Sequence, residues 1–121
     1  MSRFEQDQEV RLPGLQVASS RQGEEHVISL SGELDLANVG ALQSEVLRIE
    51  SGECSNIVFD LRELEFLDST GVHLLAEAHR RASGRGSKVS VAVADGPVRR
   101  VLQVSGMLDV LAKSETGKAA A

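Results

Sequence analysis

The chain has 121 residues, 41% of them hydrophobic and 26% charged, a length and composition that support one hydrophobic core. A formal net charge of −5 lacks the basic footprint that nucleic-acid phosphates require, and three Phe with no Trp or Tyr leave few rings for stacking bases or sugars. Cys54 is the sole cysteine, so neither an internal disulfide nor a cysteine-rich metal site is expected, and a reducing cytoplasm fits best.

No apolar run approaches the roughly 18–20 residues of a membrane span, and MSRFEQDQEV is too charged for a signal peptide. Membrane insertion and secretion are therefore not expected. Residues 1–13 and 114–121 read as polar, fraying ends around a folded domain at 14–113. Within it, Leu15–Ser19 and His26–Gly32 flank the turn-like Arg21-Gln22-Gly23-Glu24 and read as a hairpin. Val39, Leu42, Val46 and Ile49 then recur at helical spacing, with Asp35 or Asn38 available as the cap.

Asn56–Leu61 is a continuous apolar run ending in an acid, as in a central strand buried on both faces. Val72, Leu75, Ala76, His79 and Ala82, widened by Leu74 and Ala78, mark a second amphipathic helix that stops near Ser83-Gly84. Lys88–Val93 is a β-branched strand, and Asp95-Gly96-Pro97 opens a third helix with proline in its first turn, where a missing N–H costs nothing. Met107–Leu111 reads as a short last strand or an irregular continuation. The order predicts an α/β fold: a mixed, mainly parallel sheet of four or five strands flanked by amphipathic helices. Glu33 to Asp35, Asp60-Leu61 with Phe66 to Gly71, and Asp95 to Pro97 should leave the carboxyl edge of the sheet, where sites collect.

The stretch FLDSTGV, Phe66 to Val72, concentrates chemistry at one such edge. Helix capping accounts for one of its polar residues, because Asp, Ser or Thr oxygens accept from free first-turn N–H groups. It does not account for Asp68-Ser69-Thr70-Gly71 in a row. A hydrolase elbow would need glycine where Leu67 stands and a histidine after a later strand, whereas the histidines are His26, His73 and His79. His73 with Glu77 falls short of the three or four ligands of a metal site. Asp60 invites comparison with a receiver-domain phosphoacceptor, but the acidic pair that would hold Mg²⁺ is missing from the first strand's end.

Taken together, Gly32-Glu33-Leu34-Asp35, Ile57-Val58-Phe59-Asp60-Leu61 and Phe66-Leu67-Asp68-Ser69-Thr70-Gly71 resemble the successive signatures of the STAS domain, the family of sulphate transporters and anti-sigma factor antagonists. The resemblance runs from Leu15 to Leu111. It implies a stand-alone cytoplasmic anti-sigma factor antagonist, a non-enzymatic regulator of transcription, such as a stress response, by partner switching. Its partners would be an anti-sigma factor serine kinase, which holds the ATP, and a serine phosphatase; no cofactor or metal of its own is implied. Ser69 would be the phosphorylated residue, with Thr70 the alternative acceptor, and Glu33, Asp35, Asp68, Ser69, Thr70, Gly71 and His73 would form the partner-binding surface. His73 departs from the family pattern, where many relatives carry a small or different polar residue. Within the family, the alternative is a non-phosphorylated subunit of a lipid-transporting ABC complex; from another class, it is a weak nucleotide or ester hydrolase. Oligomeric state is left open by the sequence.

Overall fold

The computed structural model describes residues 8–52 and 56–112. Cys54 and the expected C-terminal tail at 114–121 lie outside them. The elements are β1 (Gln8–Leu12), β2 (Leu15–Gln22), β3 (Glu25–Leu34), α1 (Val39–Glu50), β4 (Asn56–Leu67), α2 (Ser69–Gly84), β5 (Lys88–Ala92), α3 (Pro97–Val104) and α4 (Met107–Leu111). The sheet follows chain order, β1-β2-β3-β4-β5. β1–β2 and β2–β3 are antiparallel, while β3–β4 and β4–β5 are parallel. The sheet is thus mixed in equal measure, because each helix between strands returns the chain to a parallel neighbour and each tight turn to an antiparallel one.

Alternation along the strands decides which face is covered. Leu15, Val17, Ile28, Leu30, Ile57, Phe59, Leu61, Val89 and Val91 join Leu42, Val46, Leu74, Leu75, Ala78 and Leu102 from the helices in one buried cluster. Each fully buried Leu, Ile or Phe contributes about 1.5–3 kcal/mol relative to exposure. Val58, of the opposite parity, is also buried, as expected for an interior strand.

Four sequence expectations need correction. Gln8–Leu12, assigned to a fraying end, pairs along all of β1 with β2, since Val10 and Leu12 find apolar cover against the core. Met107–Leu111 is a helix, not a strand: Leu108 and Leu111, three apart, share its buried side. Just beyond this helix, Ala112 forms a parallel bridge to Val91. Asp60 lies inside β4 rather than at its end, opposite Ser29 and Ala92. Its carboxylate accepts from Arg62 Nε at 2.9 Å and Nη2 at 2.8 Å, and this guanidinium holds it below the usual carboxylate range. Finally, the buried face of α2 is centred on Gly71, Leu74, Leu75, Ala78 and Ala82, leaving Val72, Ala76 and His79 only partly covered.

An ion pair sets the helices side by side. Glu50, at the end of α1, accepts from Arg81 Nε and Nη2 of α2 at 2.8 Å each, with Arg85 at 3.5 Å. The bidentate fork fixes direction as well as distance.

Candidate functional site

Because β3 and β4 are parallel neighbours, their carboxyl ends meet. Leu34 pairs with Leu67, the last residues of the two strands. This brings Gly32-Glu33-Leu34-Asp35 beside Asp68-Ser69-Thr70-Gly71, although more than thirty residues separate them in sequence. Two glycines permit close contacts around this edge, one to the β1–β2 turn and one to the strand ends. Gly32 has φ of +105°, and a side chain there would run into the carbonyl oxygen of Gly14, which accepts from Glu33 N–H at 2.9 Å. At Gly71 the backbone conformation is ordinary but the space is not. A β-carbon would collide with Leu67 Cδ1 and stand 2.9 Å from Leu34 Cδ2, so only glycine lets the first turn of α2 sit on both strand ends.

Asp68 caps α2 and joins the two loops. Its Oδ1 accepts from Thr70 N–H at 3.0 Å, from Gly71 N–H at 3.3 Å and from the Thr70 hydroxyl at 2.5 Å. The Thr70 hydroxyl first, then the N–H groups of Gly71, Thr70 and Leu36, hold the carboxyl below the usual range against the opposing effect of burial. Leu36 belongs to the β3–α1 loop, and its N–H lies near this carboxylate. The Asp68 N–H also approaches the Leu34 carbonyl at 3.4 Å.

The two adjacent hydroxyls therefore differ. Thr70 is half-buried and its proton is committed to Asp68. Ser69 is exposed at the first position of α2, and among the described residues its hydroxyl has no hydrogen-bond partner. One turn along α2, the Nε2 of His73 lies 3.6 Å from Glu77 Oε2.

Asn38 is the residue whose importance local reasoning misses. It occupies the N-cap position of α1 but makes no cap there. Only 1% exposed, it donates through Nδ2 to the carbonyls of Pro13 at 2.6 Å and Glu33 at 2.8 Å, and accepts at Oδ1 from Asp35 N–H at 3.0 Å. The other candidate cap, Asp35, accepts from Ala37 N–H at 3.0 Å within the loop. A staple between the β1–β2 turn and the β3–α1 loop leaves no periodic signature; only its Asn-for-cap ambiguity hinted at it. The same loop leaves Leu36 76% exposed, close to the Asp68 cap and unflagged by any sequence pattern.

Glu33 and Asp35 thus stand with Asp68, Ser69, Thr70 and Gly71 at one edge, and His73 follows one turn along the exposed flank of α2. On that flank Ser69, Val72 and His73 line an open cavity of about 1030 Å³ opposite Arg100, Val101 and Val104 of α3. Val104 is 83% exposed. Among the described residues no three His, Cys, Asp or Glu side chains converge as metal ligands, and no helix is long and apolar enough to cross a membrane.

Comparison with known proteins agrees with this fold. The STAS domain model matches residues 17–120. An anti-sigma F factor antagonist of Paenibacillus polymyxa is 28% identical over 86 residues, covering 70% of this chain and 74% of that protein. Among solved structures, an anti-sigma factor antagonist from Mycobacterium paratuberculosis superposes with a TM-score of 0.75 at 23% identity, over 84% of this chain and 87% of that one. The anti-sigma factor antagonist SpoIIAA in its unphosphorylated form gives 0.66 at 25% identity, over 92% and 91%. With the family model spanning both strand ends, the helix they support and the turn that carries Ser69, this chain belongs to the STAS domain family.

Proposed function

We propose that this chain is an anti-sigma factor antagonist, switched off by phosphorylation of Ser69. The observation that carries the reading is the division of labour at the α2 N-terminus: Asp68 and Thr70 are bound to each other, and Ser69 alone presents an uncommitted, exposed hydroxyl. The names of the relatives support the antagonist role, and one of them was solved in a form described as unphosphorylated. The partner in this reading is an anti-sigma factor that is itself a serine kinase, and a serine phosphatase resets the switch.

In the transfer, Ser69 Oγ attacks the γ-phosphorus of ATP held by the kinase. The new Oγ–P bond replaces the bond to the β-phosphate oxygen, ADP leaves, and the hydroxyl proton passes to a base of the kinase. Ser69 gains about −1.5 to −2 charges and three acceptor oxygens. The free N–H groups and dipole of the α2 N-terminus tolerate the added charge, so the fold is kept. The partner, which covers a neutral serine among Glu33, Asp35 and Asp68, now meets additional charge and bulk and is released to its sigma factor. The domain works as substrate and binding module in the cytoplasm, not as an enzyme.

The test is incubation with candidate anti-sigma kinases and ATP, followed by mass-spectrometric location of the phosphate and by partner affinity for Ser69→Ala and Ser69→Asp. Phosphate at Ser69 and a loss of about two orders of magnitude in affinity for Ser69→Asp, roughly 3 kcal/mol, are expected. Phosphate found only elsewhere, or equal and unchanged binding by both variants, sinks the reading.

A further inference from the structure

The groove beside Ser69 has no role in the reading above, yet its two walls carry complementary chemistry for a modified serine. Ser69 and His73 lie one turn apart on the same side of α2, and both line the cavity whose other wall is α3. Arg100 of α3 lines it too, and is exposed. Its neighbour Arg99 is 3.8 Å from Asp95, and Arg48, Arg62, Arg80, Arg81 and Arg85 all face carboxylates. Among the described residues Arg100 has no carboxylate partner. Most of the remaining lining is apolar, including Val72, Val101 and Val104.

We propose that a phosphate carried by Ser69 is received across this groove by the guanidinium of Arg100, with His73 beside it, latching α2 to α3. The proposal rests on the reading of Ser69 as the modified residue and names what happens to the phosphate afterwards. Arg is suited to the task because its planar fork pairs two phosphate oxygens at once. The nearby carboxylates do not compete for that fork. Asp68 turns its Oδ1 inward to Thr70 and the helix N–H groups, Glu77 faces Arg80 and His73, and Asp95 faces Arg99. A latched phosphate lies over the groove mouth, so the modified state differs from the free one along the α2–α3 flank as well as at the loops.

The experiment uses the full chain with phosphoserine built in at position 69 during synthesis, which needs no kinase, and follows the phosphate by ³¹P NMR against pH. The second ionisation of the phosphate is expected about one unit lower in the folded protein than in the same protein unfolded in urea. Arg100→Gln should remove most of that shift, and Arg100→Lys should keep part of it. Because Arg100→Gln retains the α2 N-terminus, the difference between it and the parent isolates the guanidinium from the helix. Equal titration curves for the parent and Arg100→Gln, or for folded and unfolded protein, overturn the latch. A kinase that ignores Ser69 would instead sink the proposed function while leaving this measurement as it stands.

Discussion

The hydroxyl of Thr70 donates to Oδ1 of Asp68 at 2.5 Å, on the same oxygen that caps α2 through the Thr70 and Gly71 N–H groups. Three donors on one carboxylate oxygen make the start of α2 a rigid knot, and Ser69 is the residue left outside it.

That asymmetry predicts acceptor choice. Phosphorylation by the partner kinase is expected to disappear in Ser69→Ala and to persist in Thr70→Ala, read by mass spectrometry of the intact and digested protein. Thr70→Ala should cost about 1 kcal/mol of stability through the lost hydrogen bond, whereas Ser69→Ala should be close to neutral. Phosphate retained in Ser69→Ala would reverse the assignment.

Asp68→Ala removes the cap and frees the Thr70 hydroxyl, and about 1–2 kcal/mol of stability should go with it in urea unfolding. The sign with pH follows from the direction of the shift. The folded carboxyl titrates below its unfolded value, so its contribution is present above the unfolded value near 4 and is lost as pH falls through the folded one. Stability of the parent and Asp68→Ala should therefore converge in acid; a constant gap from pH 7 to pH 2 would contradict the capping role.

Gly71→Ala tests the close approach of α2 to the strand ends. The added methyl meets Leu67 and Leu34, whose tips must shift, and a destabilisation of about 1–3 kcal/mol is expected. Partner affinity should fall as well, since the turn bearing Ser69 moves relative to Glu33 and Asp35. A variant of parental melting temperature would show that the leucines yield freely.

Asn38→Ala strands two carbonyls and one N–H in a buried place. A loss of about 2–3 kcal/mol is expected, with faster amide exchange at Asp35 as the loop loosens. Asn38→Asp should be no rescue, because a carboxylate cannot donate to the Pro13 and Glu33 carbonyls. Parental stability in either variant would remove Asn38 from the site.

His26 supplies a second pH dependence. Burial first, then Arg21 and Arg48, holds its imidazole below the ordinary 6.5. The unfolded chain therefore binds this proton more readily, and stability contributed by neutral His26 is full above 6.5 and lost as pH falls toward the folded value. Urea midpoints should drop between pH 7.5 and pH 5, and His26→Gln should flatten that part of the profile.

Much of the framework was legible in the residues. Helical spacing at Leu42, Val46 and Ile49, the apolar run Ile57-Val58-Phe59 and the polar cluster after Leu67 are local patterns, and local patterns survive any packing that buries them. They placed three of the four described helices and the interior strand, and put Asp68 at a helix start. What they could not decide was set by contacts between distant segments. β1 is a strand because β2 offers it a partner, and Met107–Leu111 is a helix because Leu108 and Leu111 bury together.

The same division runs through the site. Sequence alone determined that a hydroxyl pair follows an acid at a helix start, and family resemblance pointed to Ser69. Only the tertiary structure separated the two hydroxyls, because that of Thr70 donates to Asp68 while that of Ser69 has no hydrogen-bond partner among the described residues. Only it turned Asn38 from a helix cap into a buried staple and set Arg100 across a groove from Ser69. Propensity acts over a turn or two of chain. Hydrogen bonds and charges pair with whatever the fold brings within reach, and at this sheet edge the fold brings together residues from four separate segments.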